Sequence, residues 1–182
     1  MPLQPKNTYD TSKACTDMIA RSYAKNYDMP ICVTRCSNVY GPRDQNASRI
    51  IPNSIIRLSK QEAPVLYSDV SEMEREFIYI DDVVDANVAL ALSGVRTNGE
   101  AFNVGGTPEG PIRIDNLVHV IAKMMGSTIE PEIVKREPIF KEIQRQYIDS
   151  SKLQNETGWT PRITLHDGLL ATISYYKDFY AP

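Results

Sequence analysis

Residues 9–36 read YDTSKACTDMIARSYAKNYDMPICVTRC, and this stretch decides the fold class. Apolar residues recur at Cys15, Met18, Ile19 and Tyr23, the spacing of one helical face. The run predicts a helix from about Tyr9 to Tyr27, stopped by Asp28 and Pro30. Pro30–Cys36, PICVTRC, is short and β-branched, as in a buried strand. A helix that delivers the chain into a buried strand is half of a parallel βαβ unit. The expected class is therefore α/β.

Outward from this unit, residues 37–49 (SNVYGPRDQNASR) read as a polar loop punctuated by Gly41 and Pro42. Ile50–Leu58 reads as a helix with Pro52 in its first turn. Pro64–Tyr67 and Glu76–Ile80 are short candidate strands. Asp81 and Asp82 open a helix running to about Leu92, where carboxylates complement unpaired N–H groups. Ala101–Val104 is a strand ending at Gly105-Gly106. Ile114–Met125 is an amphipathic helix closed by Gly126. Glu132–Val134 and Gln146–Ile148 are small strands. Asp149 or Ser150 caps a helix ending near Gly158, and Leu165–Tyr180 is the final helix. Helices are expected to outnumber strands, so the chain should carry only part of a sheet.

Composition narrows the function classes. A length of 182 residues suits one domain, or one with a small appendage. Hydrophobic residues make up 42% and charged residues 24%, which argues against a disordered chain. A net charge of −3 gives no basic footprint for nucleic acid. No stretch of about 18 apolar residues exists to span a membrane, and the opening residues MPLQPKNTYD lack the apolar core of a secretion signal. Cys15, Cys32 and Cys36 form no CxxC pair, and only His119 and His166 could add imidazole ligands. A disulfide framework and a metal site are both disfavoured, and a cytoplasmic location with reduced thiols is expected. No GxGxxG or GxxxxGK phosphate loop occurs.

Three groups of residues carry chemistry. Tyr9 and Lys13 stand at i and i+4, hence side by side on one helical face. An ammonium beside a phenol favours the phenolate, which suits a general base near neutral pH. The same spacing also describes an ordinary exposed pair. Thr34-Arg35-Cys36-Ser37-Asn38-Val39-Tyr40-Gly41-Pro42 leaves the C-terminal end of the expected parallel strand, where open α/β sheets bind ligands. Asn38 offers both donors and an acceptor there, although an Asn-containing turn needs no ligand. Arg43, Arg49, Arg75 and Arg145 could each grip phosphate oxygens bidentately, or simply be solvated. Asp81, Asp82 and Asp85 are better explained by helix capping than by a metal.

YDTSK (9–13), TRCSNVYGPRD (34–44), EFIYIDDVVDANVALAL (76–92), AFNVGG (101–106) and DSSKLQNETGWTP (149–161) occur in the order seen in the extended short-chain dehydrogenase/reductases. The chain resembles the NAD-dependent nucleotide-sugar epimerases and dehydratases of that family over essentially its whole length. RDQNASRIIPNSI (43–55) and QYIDSSK (146–152) are similar to the CDP-glucose 4,6-dehydratase branch. The resemblance implies the C-terminal part of a Rossmann-type fold. Residues 1–48 would belong to the NAD-binding domain and residues 49–182 mainly to a small substrate-binding domain, with residues 76–104 returning to the Rossmann sheet. It implies Tyr9 as the active-site base and Lys13 as its partner on the nicotinamide ribose. Val39 and Tyr40 would pass near the nicotinamide. Asn38, Arg49, Arg75 and Arg145 would contact the nucleotide diphospho-sugar. The parent enzyme is expected to be a homodimer that oxidises the sugar C4 hydroxyl.

The family's glycine-rich turn, its ribose-binding acidic residue, the Ser/Thr partner of the tyrosine and the dehydratase Asp-Glu pair have no counterpart in this sequence. The expectation is a C-terminal half, inactive unless an N-terminal half is supplied in cis or in trans. The competing reading is a non-catalytic fragment that binds a nucleotide sugar.

Overall fold

The computed structural model describes residues 5–137 and 143–180, and among them six α-helices and nine short strands. Helix α1 spans Thr8–Tyr27. The Asn7 side chain caps it by accepting the Asp10 N–H at 2.8 Å, and Asp28 ends it in the left-handed conformation at φ 50°. Asp is one of the few residues that adopt this conformation readily. Strand β1, Val33–Cys36, pairs in parallel with β6, Ala101–Val104. The strand expected from Pro30 starts three residues later. Ile31 and Cys32 lead into it, with Val33 N–H donating to Glu100 O at 3.0 Å.

Asn38–Tyr40 is not loop, as expected, but strand β2. It pairs in parallel with β5, Phe77–Tyr79. Its strand character comes from that partner, nearly forty positions along the chain, and not from any local pattern. Three further ladders, in two sheets, follow among the described residues. Val65–Tyr67 (β3) runs parallel to Glu132–Val134 (β8). Glu74–Arg75 (β4) is flanked by Ile112–Arg113 (β7) and Arg145–Gln146 (β9). The last strand falls one residue earlier than the expected Gln146–Ile148. Among the described residues strands therefore outnumber helices, against expectation, because pieces of two or three residues carry no readable period.

The remaining helices are α2 (Ile50–Ser59), α3 (Ile80–Leu92), α4 (Ile114–Met124), α5 (Ser151–Thr157) and α6 (Leu165–Tyr180). Two cores result. One packs α2, α4 and α6 through Ile51, Ile55, Leu58, Leu117, Val118, Ile121, Leu169 and Ile173. The other packs α3 and α5 on β6 through Val83, Ala86, Leu90, Phe102, Val104, Leu153 and Trp159. Strand β5 separates them: Phe77 and Tyr79 face the first core and Ile78 the second, as a period of two requires. Each fully buried aliphatic side chain contributes roughly 1.5–3 kcal/mol.

Two side-chain placements stand out. Asp82 does not cap its own helix. It is 1% exposed, and its carboxylate accepts the N–H groups of Arg162 and Ile163, both at 3.0 Å. The Asp82 carbonyl also accepts Trp159 Nε1–H at 3.1 Å. The α1 stripe of Met18, Ile19 and Tyr23 that announced the helix is solvent-exposed, and the buried residues of α1 are Asp17 and Ala24. No helix among the described residues is long and apolar enough to cross a membrane.

Candidate active site

An open cleft of about 970 Å³ lies beside β1 and β2. The N-terminal half of α1 forms one wall, supplying Tyr9, Lys13 and Asp17. Strands β1 and β2 supply Arg35 and Asn38, and Arg49 and Arg75 also line the cleft. The structure thus brings together seven of the eight residues that the resemblance assigns to the site, Val39 and Tyr40 among them, and leaves Arg145 outside the cleft lining.

Tyr9 and Lys13 meet as the i, i+4 spacing requires. The Lys13 ammonium sits 5.5 Å from the centre of the Tyr9 ring, and the ring is 68% exposed. The phenol is therefore open to solvent on the wall of the cleft. The rotation of α1 that presents the pair follows from Asp17, one turn beyond Lys13. Asp17 is buried, and its Oδ2 accepts Arg35 Nε–H at 2.7 Å from β1. The bond from Arg35 holds the Asp17 carboxyl below the usual carboxylate range, against the opposing effect of burial. Arg21, one turn further along, donates from Nε to Gly99 O at 3.0 Å. These two contacts pin the helix to the β1–β6 ladder along one face.

Asn38 is held by Glu76, whose carbonyl accepts both Asn38 Nδ2–H at 2.9 Å and Asn38 N–H at 3.2 Å. That fixes which arm of the carboxamide is nitrogen. Tyr40 differs from expectation in its side chain. The ring is 4% exposed and packs edge-on to Phe77 and Tyr79, and its hydroxyl donates to Leu165 O at 3.4 Å. Burial pushes its phenol well above the ordinary value, so this ring serves the core and exchanges no proton near neutral pH. Arg49 Nη1 pairs with Asp44 Oδ2 at 3.0 Å on the rim. Arg75 donates from Nη1 to Glu74 O at 2.9 Å and borders the cleft at half-burial. Arg145 stands apart: its Nε pairs with Glu74 Oε2 at 2.8 Å, and its neighbour Gln146 lines the cleft instead.

Asp17 and Arg35 were not singled out from sequence. Two signals were available: Asp17 continues the Tyr9–Lys13 row at i+4, and Arg35 is a lone charge in an otherwise uncharged strand.

The NAD dependent epimerase/dehydratase family model matches residues 1–105, and the chain belongs to that family. Among individual relatives, the low-salt glycan biosynthesis protein Agl12 of Haloferax volcanii is 34% identical over 176 residues, which is 96% of this chain and 54% of that protein. A dTDP-glucose 4,6-dehydratase of Streptomyces griseus is 33% identical over 180 residues, 96% of this chain and 51% of the relative. The chain therefore spans about half the length of the curated relatives it matches. Among solved structures, a dTDP-glucose 4,6-dehydratase from Bacillus anthracis in complex with NAD superposes with a TM-score of 0.84 at 32% identity, over 97% of this chain and 54% of that one. A UDP-glucuronic acid 4-epimerase from Bacillus cereus, in complex with UDP-glucuronic acid and NAD, gives a TM-score of 0.84 at 28% identity, covering 99% and 55%.

Proposed function

We propose that this chain forms the catalytic and sugar-binding half of an NAD-dependent nucleotide-sugar 4,6-dehydratase or 4-epimerase. The observation that carries this reading is the Tyr9–Lys13 pair on the wall of the cleft that Asn38, Arg49 and Arg75 also line. Tyr9 Oη would take the proton of the sugar 4-hydroxyl as that carbon is oxidised to a ketone. Arg75 and Arg49 would meet the diphosphate, and Asn38 would orient the sugar nucleotide. Arg145, held by Glu74, would reach the diphosphate only by leaving that partner.

The described residues suit one end of NAD. The Lys13 ammonium and the Tyr9 hydroxyl, side by side and exposed, form a donor and acceptor set for a ribose diol, and Val39 and Tyr40 pass nearby. When bound, NAD supplies the hydride acceptor for C4. In this reading the pyrophosphate end of NAD would fall to a complementary N-terminal half, in cis or in trans. A second reading, suited to a chain that spans about half the length of its relatives, is a fragment that binds a nucleotide sugar without turnover. In the first reading the assembled enzyme is a cytoplasmic homodimer. Residues 1–48 and 76–104 then belong with the Rossmann sheet, as the β1–β6 pairing supports, and the rest mainly with the substrate domain.

The test supplies the N-terminal half and compares Tyr9 with Tyr9→Phe. Loss of a positioned proton acceptor should lower turnover by roughly 10²–10⁴ while sugar-nucleotide affinity holds. Full turnover by the phenylalanine variant would remove Tyr9 from the chemistry.

A further inference from the structure

Glu76 sits between Arg75 and Phe77 and is 2% exposed. Among the described residues its carboxylate accepts from backbone N–H groups. Oε1 accepts the N–H groups of Gly106 at 2.9 Å and Thr107 at 3.2 Å, and Oε2 accepts the Ile148 N–H at 3.1 Å. Its own N–H donates to Gln146 O at 3.1 Å, and its carbonyl takes both donors of Asn38. One residue therefore joins β2, the turn after β6, and the segment following β9. Gly105 makes room for it: a Cβ there would lie 2.6 Å from Glu76 Oε2 and 2.9 Å from Ile148 Cβ. Gly106 adopts φ 77°, where a side chain is strained, and so turns its N–H onto Oε1.

Three N–H donors around one buried carboxylate form a rigid joint, because each donor orphaned in the interior carries a desolvation penalty. The joint lies directly behind the cleft wall made by Asn38, Arg75, Phe77 and Gln146. We infer that Glu76 is a positioning residue of the nucleotide-sugar site. Its carboxylate clamp sets where its own carbonyl sits, and that carbonyl sets the Asn38 carboxamide. The inference rests on the nucleotide-sugar reading of the cleft.

Glu76→Gln keeps the shape but replaces one acceptor oxygen with a donor, so either Ile148 or the Gly106/Thr107 pair loses its bond. The experiment titrates UDP-glucose and dTDP-glucose into the full chain and its variants by calorimetry, well below each variant's melting temperature. It also records the amide resonances of Gly106, Thr107 and Ile148 and the side-chain NH₂ of Asn38. The Gln variant should bind about tenfold more weakly, the equivalent of one net hydrogen bond to a charged group, and the Asn38 NH₂ signal should shift with the three backbone amides. Thr107→Pro deletes a single N–H and leaves the carboxylate intact. It should give a smaller loss in the same direction and keeps the question answerable if the Gln variant does not fold. Unchanged affinity and an unmoved Asn38 signal, with only the melting temperature lowered, would make Glu76 a stabilising residue and overturn the inference. Failure of the unaltered chain to bind either nucleotide sugar would overturn the functional reading, and the inference with it.

Discussion

Asp17 and Arg35, eighteen positions apart, meet at 2.7 Å and lock helix α1 onto strand β1. The Asp17 Oδ1 atom is buried without a hydrogen bond, its nearest cation being Arg21 Nη1 at 3.8 Å. The Asp17 carboxylate therefore holds β1 through a single oxygen. Because the folded carboxyl titrates lower than the unfolded one, the pair's contribution is present above the unfolded value, near 3.9, and is lost as pH falls through the folded value. Asp17→Asn should cost about 1–3 kcal/mol at neutral pH. Below the folded value the two proteins should converge. Melting temperature measured against pH checks this, and parallel curves down to strong acid would contradict it.

Gly168 lies inside α6, where glycine costs about 0.5–1 kcal/mol relative to alanine. Its reason is Tyr40. A Cβ at Gly168 would fall inside van der Waals contact of Tyr40 Oη and 2.8 Å from Tyr79 Cδ2. Gly168→Ala should therefore destabilise by roughly 1–3 kcal/mol despite its better helix propensity. Combining it with Tyr40→Phe, which removes the hydroxyl, should recover part of the loss. Denaturant melts of the four proteins in the cycle measure that coupling, and strict additivity would show the two sites to be independent.

Arg75 borders the cleft, and the sequence carries no glycine-rich turn. The chain on its own should bind a nucleotide diphospho-sugar in preference to NAD. Arg75→Ala should weaken that binding by about 1.5–3 kcal/mol, the range for hydrogen bonds to charged groups. Isothermal calorimetry reads both. Micromolar affinity for NAD, or an Arg75→Ala variant that binds as tightly as the parent, would count against the assignment of the cleft.

Met18, Ile19, Tyr23 and Tyr27 are 63%, 58%, 50% and 68% exposed along one side of α1. A contiguous apolar stripe of this kind drives association. Light scattering should show a mass above that of the monomer. Ile19→Lys with Tyr23→Glu should return the chain toward monomer while its far-ultraviolet dichroism stays unchanged. A clean monomer before substitution would remove the stripe as an adhesive surface.

The elements legible in the sequence were those whose evidence is local. The α1, α4 and α6 helices announce themselves by spacing, and Ala101–Val104 and Glu132–Val134 fall where their composition puts them. Asn38–Tyr40 did not, because a three-residue strand inside a Ser-, Gly- and Pro-rich stretch exists only through its pairing with Phe77–Tyr79. The same holds for side chains. Tyr9 and Lys13 are one helical turn apart and could be paired by counting. Asp82 looked like a cap for its own helix because its true partners, the Arg162 and Ile163 amides, lie far along the chain. The Glu76 clamp could not be read, although Glu76 opened an expected strand, since backbone N–H groups have no sequence signature. Arg145 was placed at the diphosphate by resemblance, whereas the side chain that takes it, Glu74, sits on the neighbouring strand.

Parallel pairing makes this a late-forming fold. Val33 stands opposite Ala101, Asn38 opposite Phe77 and Val65 opposite Glu132, and none of these ladders is closed by a hairpin. Each first hydrogen bond must wait until a long, floppy loop has closed, which costs entropy before any contact repays it. Helices α4 and α6 can form within microseconds, yet the ladders that position Asn38 and Arg35 must come together afterwards. Refolding from denaturant should accordingly recover helical dichroism early and the cleft last.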